Sequence, residues 1–342
     1  MQALILAEYE HFEVLEAPQP EIEPDEVLLE VRACGICGSD VHGMDGSTGR
    51  RRPPIIMGHE AAGVIAQVGQ EVEGWAAGDR VTFDSTIYCG KCRFCRDGQI
   101  NLCDNRRVFG VSCDDYRRDG AFAEYVAAPQ RVLHRLPDTV SFRHAAMVEP
   151  LSVALHAVNR TKILPGDTAV VIGAGVIGLL AVQVLRRTGC RIIAVDLDQG
   201  RLELAGKLGA HESLLSDAAD VPAEVFQQTG GRGADIALEA VGISPTVQTA
   251  VACVRKGGQV TLVGNLAPQV DLPLQAVVTR QLALGGSCAS SGEYPACLDM
   301  LARGDVEVEA MISATAPLAE GPDWFRQLYE GNRGLVKVIL QP

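Results

Sequence analysis

Between residues 168 and 288, short apolar runs alternate with stretches whose apolar positions recur at helical spacing. TAVVIG reads as a buried strand, VIGLLAVQVLRRTG as a helix and CRIIAVD as a second buried strand. RLELAGKLGA then reads as a helix and GADIALEAVG as a strand, and the alternation continues through GQVTLVG and QLALGGS. Strands that are apolar on both faces and separated by helices predict a parallel sheet covered on both sides, an α/β unit. Residues 1 to about 83 have a different texture: ALILAEY, EVLLEVRACG, GVIAQVG and DRVTF, broken by Pro, Gly and acidic residues. Those segments predict short strands in a β-rich, barrel-like unit. GAFAEYVAAP resumes the β character, and VSFRHAAMVEPLSVALHAVNR opens a helical region. A further helix is expected over 295–303, and LVKVILQP closes the chain as a strand.

Composition narrows the possibilities. The 342 residues are long for one core, so two domains are expected. A net charge of −13 without a Lys/Arg stripe argues against a nucleic-acid partner. The longest apolar stretch, 169–182, is too short to span a bilayer and is interrupted by glycines, so no membrane partner is expected. The opening MQALILAEYEHFEVLE lacks a basic leader, and with eleven cysteines the expected location is the reducing cytoplasm.

Four of those cysteines, Cys89, Cys92, Cys95 and Cys103, form the lobe CGKCRFCRDGQINLC within residues 88–104. Thiolates so close in sequence can surround one tetrahedral Zn²⁺. The basic neighbours Lys91, Arg93 and Arg96 favour the thiolate form. Paired disulfides and an iron–sulfur cluster are the competing readings; zinc is preferred. Four protein ligands leave no open position, so this metal would organise structure and the chemistry would lie elsewhere.

Gly173-Ala-Gly175-Val-Ile177-Gly178 joins a predicted strand to a predicted helix. The first glycine permits the turn, the second lets backbone approach a pyrophosphate, and the third lets helix and strand pack closely. The helix N-terminus offers free N–H groups to the phosphates. Asp196 ends the next strand, where a carboxylate accepts ribose hydroxyls and repels a 2′-phosphate, so NAD is expected over NADP.

A second candidate metal set lies in ACGICGSDVH, which holds Cys37, Ser39, Asp40 and His42, and in GHEAAG, which holds His59 and Glu60. The distant VEPLS adds Glu149. Cys, His and a carboxylate suit zinc, and three ligands leave a fourth position for water or substrate. Cys34, Cys113, Cys190, Cys253 and Cys297 read as small buried residues, and His156 as a packed helix histidine.

The order CGICGSDVH, GHE, four-cysteine lobe, EPLSVALHA, GAGVIG and VDLDQGRLELAGKLGA resembles the zinc-dependent medium-chain dehydrogenases over essentially the whole chain. Glu60 and EPLSVALHA are most similar to their polyol (sorbitol-type) branch. The resemblance implies a GroES-like catalytic domain over 1–152, a Rossmann domain over 153–288, and a return to the first domain over 289–342. It implies two zinc ions and NAD per chain, in a homodimer or homotetramer acting on a small alcohol. Cys37, His59 and Glu60 would hold the catalytic zinc, with Glu149 ligating directly or through a water. Ser39 would start a proton relay through the nicotinamide ribose, with His42 as its outlet. Ile177, Asp196, Arg201, Val263-Gly264-Asn265 and Ser287-Cys288-Ala289 would line NAD.

The implied reaction is oxidation of a secondary alcohol of a polyol, sugar acid or related compound. A vicinal diol or amino-alcohol dehydrogenase and a non-catalytic homologue are the alternatives. The chain departs from the sorbitol-type pattern at two substrate-contacting positions. Gly43 stands in place of a tyrosine, and Ala289-Ser290 in place of an Arg-Tyr pair. Arg50-Arg51-Arg52 read as a solvated basic loop or subunit contact, with anion steering as the lesser reading.

Overall fold

The computed structural model describes residues 1–113, 116–331 and 334–342. The side chain of Cys113, expected in the core, lies outside the described set. The chain divides into two compact units, Met1–Glu149 with Ser291–Pro342, and Pro150–Ser290. The sequence reading places those divisions after residues 152 and 288.

The first unit is built on a seven-stranded sheet. Its order is Leu133–Arg135, Arg80–Phe83, Glu60–Val68, Glu26–Gly35, Lys337–Gln341 and Ile312–Pro317, with Tyr125–Pro129 also paired to Glu26–Gly35. Strand Glu26–Gly35 runs antiparallel to Glu60–Val68, with Gly35 opposite Glu60 and Cys34 opposite Ala61. On its other side the last strand sets Ile339 opposite Gly35 and Leu340 opposite Cys34. The chain's end is therefore stitched beside the strands that carry the candidate metal ligands. The unit also holds a three-stranded sheet, His11–Glu16, Gln2–Glu8 and Ile55–Ile56, and two short two-stranded ones. Its core holds Leu4, Leu29, Ile65, Phe83, Phe109, Phe122 and Phe325, all fully buried or nearly so.

The second unit is the parallel sheet that the alternation of strands and helices predicts. Its order is Glu212–Leu215, Arg191–Asp196, Thr168–Ile172, Ala234–Glu239, Val254–Leu262 and Ala283–Gly286, every pair parallel. Ala234–Glu239 is buried at every position, as a central strand covered on both faces must be. Counted along the chain, the order is that of doubly wound nucleotide-binding sheets. The direction of winding reverses at Thr168–Ile172, which pairs with Arg191–Asp196 on one side and Ala234–Glu239 on the other. Ligands of such sheets bind outside the carboxyl ends of the strands at that point.

Candidate active site and metal centres

The nucleotide candidates gather at that end. Gly173 follows Thr168–Ile172 with φ of 92°, a conformation that favours glycine, and its N–H reaches Val195 O at 2.9 Å. A Cβ on Gly178 would lie 1.7 Å from Gly173 O, so helix Val176–Arg186 packs this closely only because Gly178 has no side chain. A Cβ on Gly175 would meet nothing within 4 Å, leaving open space in front of the helix N-terminus where a pyrophosphate fits. Asp196 accepts from Ala174 N at 2.6 Å and Asp198 N at 2.9 Å, tying the glycine loop to the end of its strand. Ile177 lies in the first turn of one helix and Arg201 in the first turn of the next, Gln199–Leu208. Val263, Gly264 and Asn265 follow Val254–Leu262; Ser287, Cys288 and Ala289 follow Ala283–Gly286. Ser287 N donates to Leu262 O at 2.9 Å, so the two loops emerge side by side.

Sequence reasoning missed Glu239 here. It is wholly buried at the end of its strand and accepts from Val241 N (2.9 Å) and Gly242 N (2.7 Å). Gly242 in turn packs so closely on Gly264 that a Cβ would lie 2.4 Å from backbone. The signal was an acid closing an otherwise apolar run.

In the other unit, the ligand atoms of Cys37, His59 and Glu60 lie within 4.8 Å of one another. Cys37 caps the short helix Gly38–Val41: its Sγ accepts from Ser39 N at 3.4 Å and Ser39 Oγ at 3.3 Å. His59 and Glu60 are buried; His59 Nδ1 faces Asp40, and Glu60 Oε1 has no hydrogen-bond partner. Such an orphaned polar atom is costly in a protein interior unless a ligand completes it. A soft thiolate, an imidazole and a carboxylate at one point suit Zn²⁺. Burial works against the imidazolium form of His59, but Asp40 and Cys37 outweigh it and hold its pKa well above the usual value.

Glu149 stands outside that group of three. Ser85 Oγ donates to its Oε1 at 3.0 Å, and the Ser85 N–H donates to Tyr294 Oη at 3.3 Å. Burial pushes the Glu149 carboxyl up; His59 pulls it down and Glu60 pushes it up, so all three share one electrostatic environment. Ser39 and His42 are both exposed at the helix carrying Cys37, and no hydrogen bond joins their side chains.

Two cations behind the site were not anticipated. Arg51 is not solvated: its side chain is 3% exposed, and Nη2 donates to Asp40 Oδ1 at 2.8 Å and to Ser39 Oγ at 3.4 Å. Asp40 is fully buried, 3.5 Å from His59 Nδ1. Burial opposes its charge, yet His59 and Arg51 hold the carboxyl well below its usual range. Gly43 makes room for the guanidinium stem, since a Cβ there would lie 2.8 Å from Arg51 Cγ. Arg50 and Arg52 are exposed, whereas the solvated-loop reading fails for Arg51. The second cation, Lys337, comes from the last strand; its Nζ donates to Glu60 Oε2 at 2.5 Å and to Ile36 O at 3.0 Å.

The four lobe cysteines form the other group, with every Sγ within 4.8 Å of the rest. Cys92 and Cys95 sulfurs are 3.5 Å apart, too far for a disulfide bond. Backbone N–H groups of Lys91 and Cys92 hold the Cys89 thiol down, whereas burial and the neighbouring sulfurs push Cys95 up. Four sulfurs so placed ionise together only around a cation, which fits zinc. The remaining cysteines expected inside, Cys34, Cys190, Cys253 and Cys297, are buried, as is His156.

A dinucleotide-type sheet in one unit, and a Cys–His–Glu set with a four-cysteine lobe in the other, define a zinc-dependent dehydrogenase. Comparison with known proteins agrees. Residues 23–138 match the alcohol dehydrogenase GroES-like domain, and 176–303 match the zinc-binding dehydrogenase family. The sorbitol dehydrogenase of Bacillus subtilis (strain 168) is 34% identical over 100% of this chain and 97% of its own. The D-arabitol-phosphate dehydrogenase of Enterococcus avium is 34% identical over 97% of this chain and 94% of its own. A zinc-binding dehydrogenase of Sinorhizobium meliloti 1021, solved bound to NADP, superposes with a TM-score of 0.90 at 34% identity, covering 100% of this chain and 99% of that one. The chain belongs to the zinc-binding alcohol dehydrogenase family and is an oxidoreductase.

Proposed function

We propose that the protein oxidises a secondary alcohol of a polyol to a ketone, reversibly, with NAD as hydride acceptor. The observation that carries this reading is the convergence of Cys37, His59 and Glu60, with an unpartnered buried oxygen on Glu60, in a chain that also holds the glycine loop. Relatives that act on sorbitol and D-arabitol phosphate support the substrate class. Zn²⁺ held by Cys37, His59 and Glu60 would supply a Lewis acid that acidifies the substrate hydroxyl. Nicotinamide dinucleotide along the glycine loop would accept the hydride, leaving ketone, reduced cofactor and one proton.

The chain's own residues then have separable tasks. Ser39 takes the hydroxyl proton, with the nicotinamide ribose and His42 as its route to solvent. Asp40, held by Arg51, orients His59. Glu149, held by Ser85, acts next to the metal as a transient ligand or through a water. Asp196 accepts the adenosine ribose hydroxyls and selects NAD; the NADP carried by the Sinorhizobium meliloti relative makes this choice a matter for assay.

A second substrate reading, an anionic sugar acid or sugar phosphate, is favoured by exposed Arg50 and Arg52 and by the arabitol-phosphate relative. A homodimer is supported by the edge strand Ala283–Gly286 and by Leu272, Leu274 and Val278, exposed on the segment that precedes it in the chain. Steady-state assay of the zinc-loaded protein against neutral alditols, aldonates and alditol phosphates, with NAD and NADP in parallel, tests the proposal. Turnover of a neutral or phosphorylated polyol with NAD supports it. Turnover of none of these compounds, or turnover with NADP alone, refutes it.

A further inference from the structure

Lys337 is one of the most completely buried charges in the chain. Its side chain is 1% exposed, as is that of Glu60, which it meets at 2.5 Å. A lysine is almost never buried to this degree unless a partner holds it. Here the partner is a candidate ligand of the open metal set, and the lysine belongs to the last strand of the chain, far from either metal motif in sequence.

The two oxygens of Glu60 face different surroundings. Oε2 is boxed in: Lys337 Nζ takes it on one side, and backbone presses on the other, where a Cβ on Gly35 would lie 2.2 Å away. Nζ is itself fixed by Ile36 O at 3.0 Å, so it cannot swing aside without losing a second bond. Oε1 is buried and has no partner. Only Oε1 is left for a metal.

We propose that Lys337 is a positioning residue that makes Glu60 a one-oxygen ligand and weakens the open site's hold on zinc. The inference rests on Cys37, His59 and Glu60 being the metal ligands. Its physical content is twofold. The ammonium occupies the oxygen through which Glu60 would otherwise chelate the metal with both atoms. It also places a fixed positive charge beside a divalent cation, which repels it. A dehydrogenase needs a metal that can exchange its fourth partner every turnover, and a carboxylate restrained to one oxygen keeps that position open. The C-terminal strand thereby sets the coordination of a site whose ligands all lie within the first sixty residues.

The test uses Lys337→Met, which keeps the length and removes the charge, together with Lys337→Gln, which keeps a donor for Oε2 without the charge. Zn²⁺ affinity of the open site is read by chelator competition. Its coordination is read by visible absorption after Co²⁺ replacement, as the difference from His59→Ala, which retains only the lobe metal. The expected result is zinc held at least about tenfold more tightly in Lys337→Met, as loss of one repelling charge beside a divalent ion requires. Its cobalt bands should weaken because Glu60 now binds with both oxygens and raises the coordination number. Lys337→Gln should hold zinc more tightly while keeping the wild-type cobalt spectrum. Zinc affinity unchanged or weakened in both variants, with the cobalt spectrum unmoved, overturns the inference. If His59→Ala retains two metals per chain, the ligand assignment itself is wrong.

Discussion

Replacing Arg51 with Met removes a charge that has one clear electrostatic duty. The guanidinium is 3% exposed and its partner Asp40 is 0% exposed, with 2.8 Å between them. Breaking such a buried pair from one side leaves an uncompensated carboxylate and costs about 3–5 kcal/mol. His59, 3.5 Å from the same oxygen, supplies some compensation, so the lower part of that range, about 3 kcal/mol, is expected. For a folding unit of this size each kcal/mol lowers the midpoint by about 2–4 °C, so thermal unfolding of the zinc-loaded protein should begin about 6–12 °C lower. Differential scanning calorimetry reads this directly. A double variant, Arg51→Met with Asp40→Asn, should recover most of the loss, because the unpaired charge is then gone as well. If Arg51→Met melts within about 2 °C of wild type, the guanidinium is not holding Asp40 and the account of this layer fails.

Asp196→Ala should weaken NAD by about 2–4 kcal/mol, as two charge-assisted hydrogen bonds to ribose are lost, and should narrow any preference against NADP; fluorescence titration with both reduced cofactors checks it. Cys95→Ala should leave three thiolates around the lobe metal, lowering the unfolding midpoint and releasing zinc to a colorimetric chelator more readily than in wild type. His134 is stacked on Tyr294 with 4.9 Å between ring centroids, and burial pushes its pKa down to about 4. The native state therefore disfavours the proton that the unfolded chain accepts below about pH 6.5. Stability should fall on acidification from that pH and level off near pH 4, by up to about 3 kcal/mol in total. His134→Phe should flatten the urea-unfolding free energy over that window, and an unchanged slope would count against the burial argument.

What could be read in advance was chemistry written contiguously. The glycine loop sits on its strand–helix junction because one stretch of chain both makes the turn and supplies the phosphate-facing amides. The four lobe cysteines surround one point because short loops hold them there whatever the rest of the fold does. Parallel strands declared themselves through runs such as TAVVI, whose Ala169–Ile172 are apolar and buried. Lys337 was harder: in LVKVIL it interrupts an apolar run and opens the strand, but its partner is set by strand pairing across the sheet. Arg51 was misread because two exposed arginines flank it; only the space left by Gly43 distinguishes it. Ser85 and Tyr294 meet across a long sequence separation, and neither belongs to a spacing pattern that predicts the contact. Motifs reveal what touches the ligand, whereas the residues that hold those groups in place arrive through tertiary packing.

The central claim is that a zinc held by Cys37, His59 and Glu60 is required for NAD-linked oxidation of a polyol. The most direct measurement pairs zinc content with turnover, followed by absorbance of the reduced nicotinamide, in wild type and His59→Ala. The account predicts two zinc ions per chain and NADH production with a polyol in wild type. In His59→Ala it predicts one zinc ion, unimpaired NAD binding and no turnover. Polyol oxidation by a His59→Ala protein that holds only the lobe zinc would contradict it.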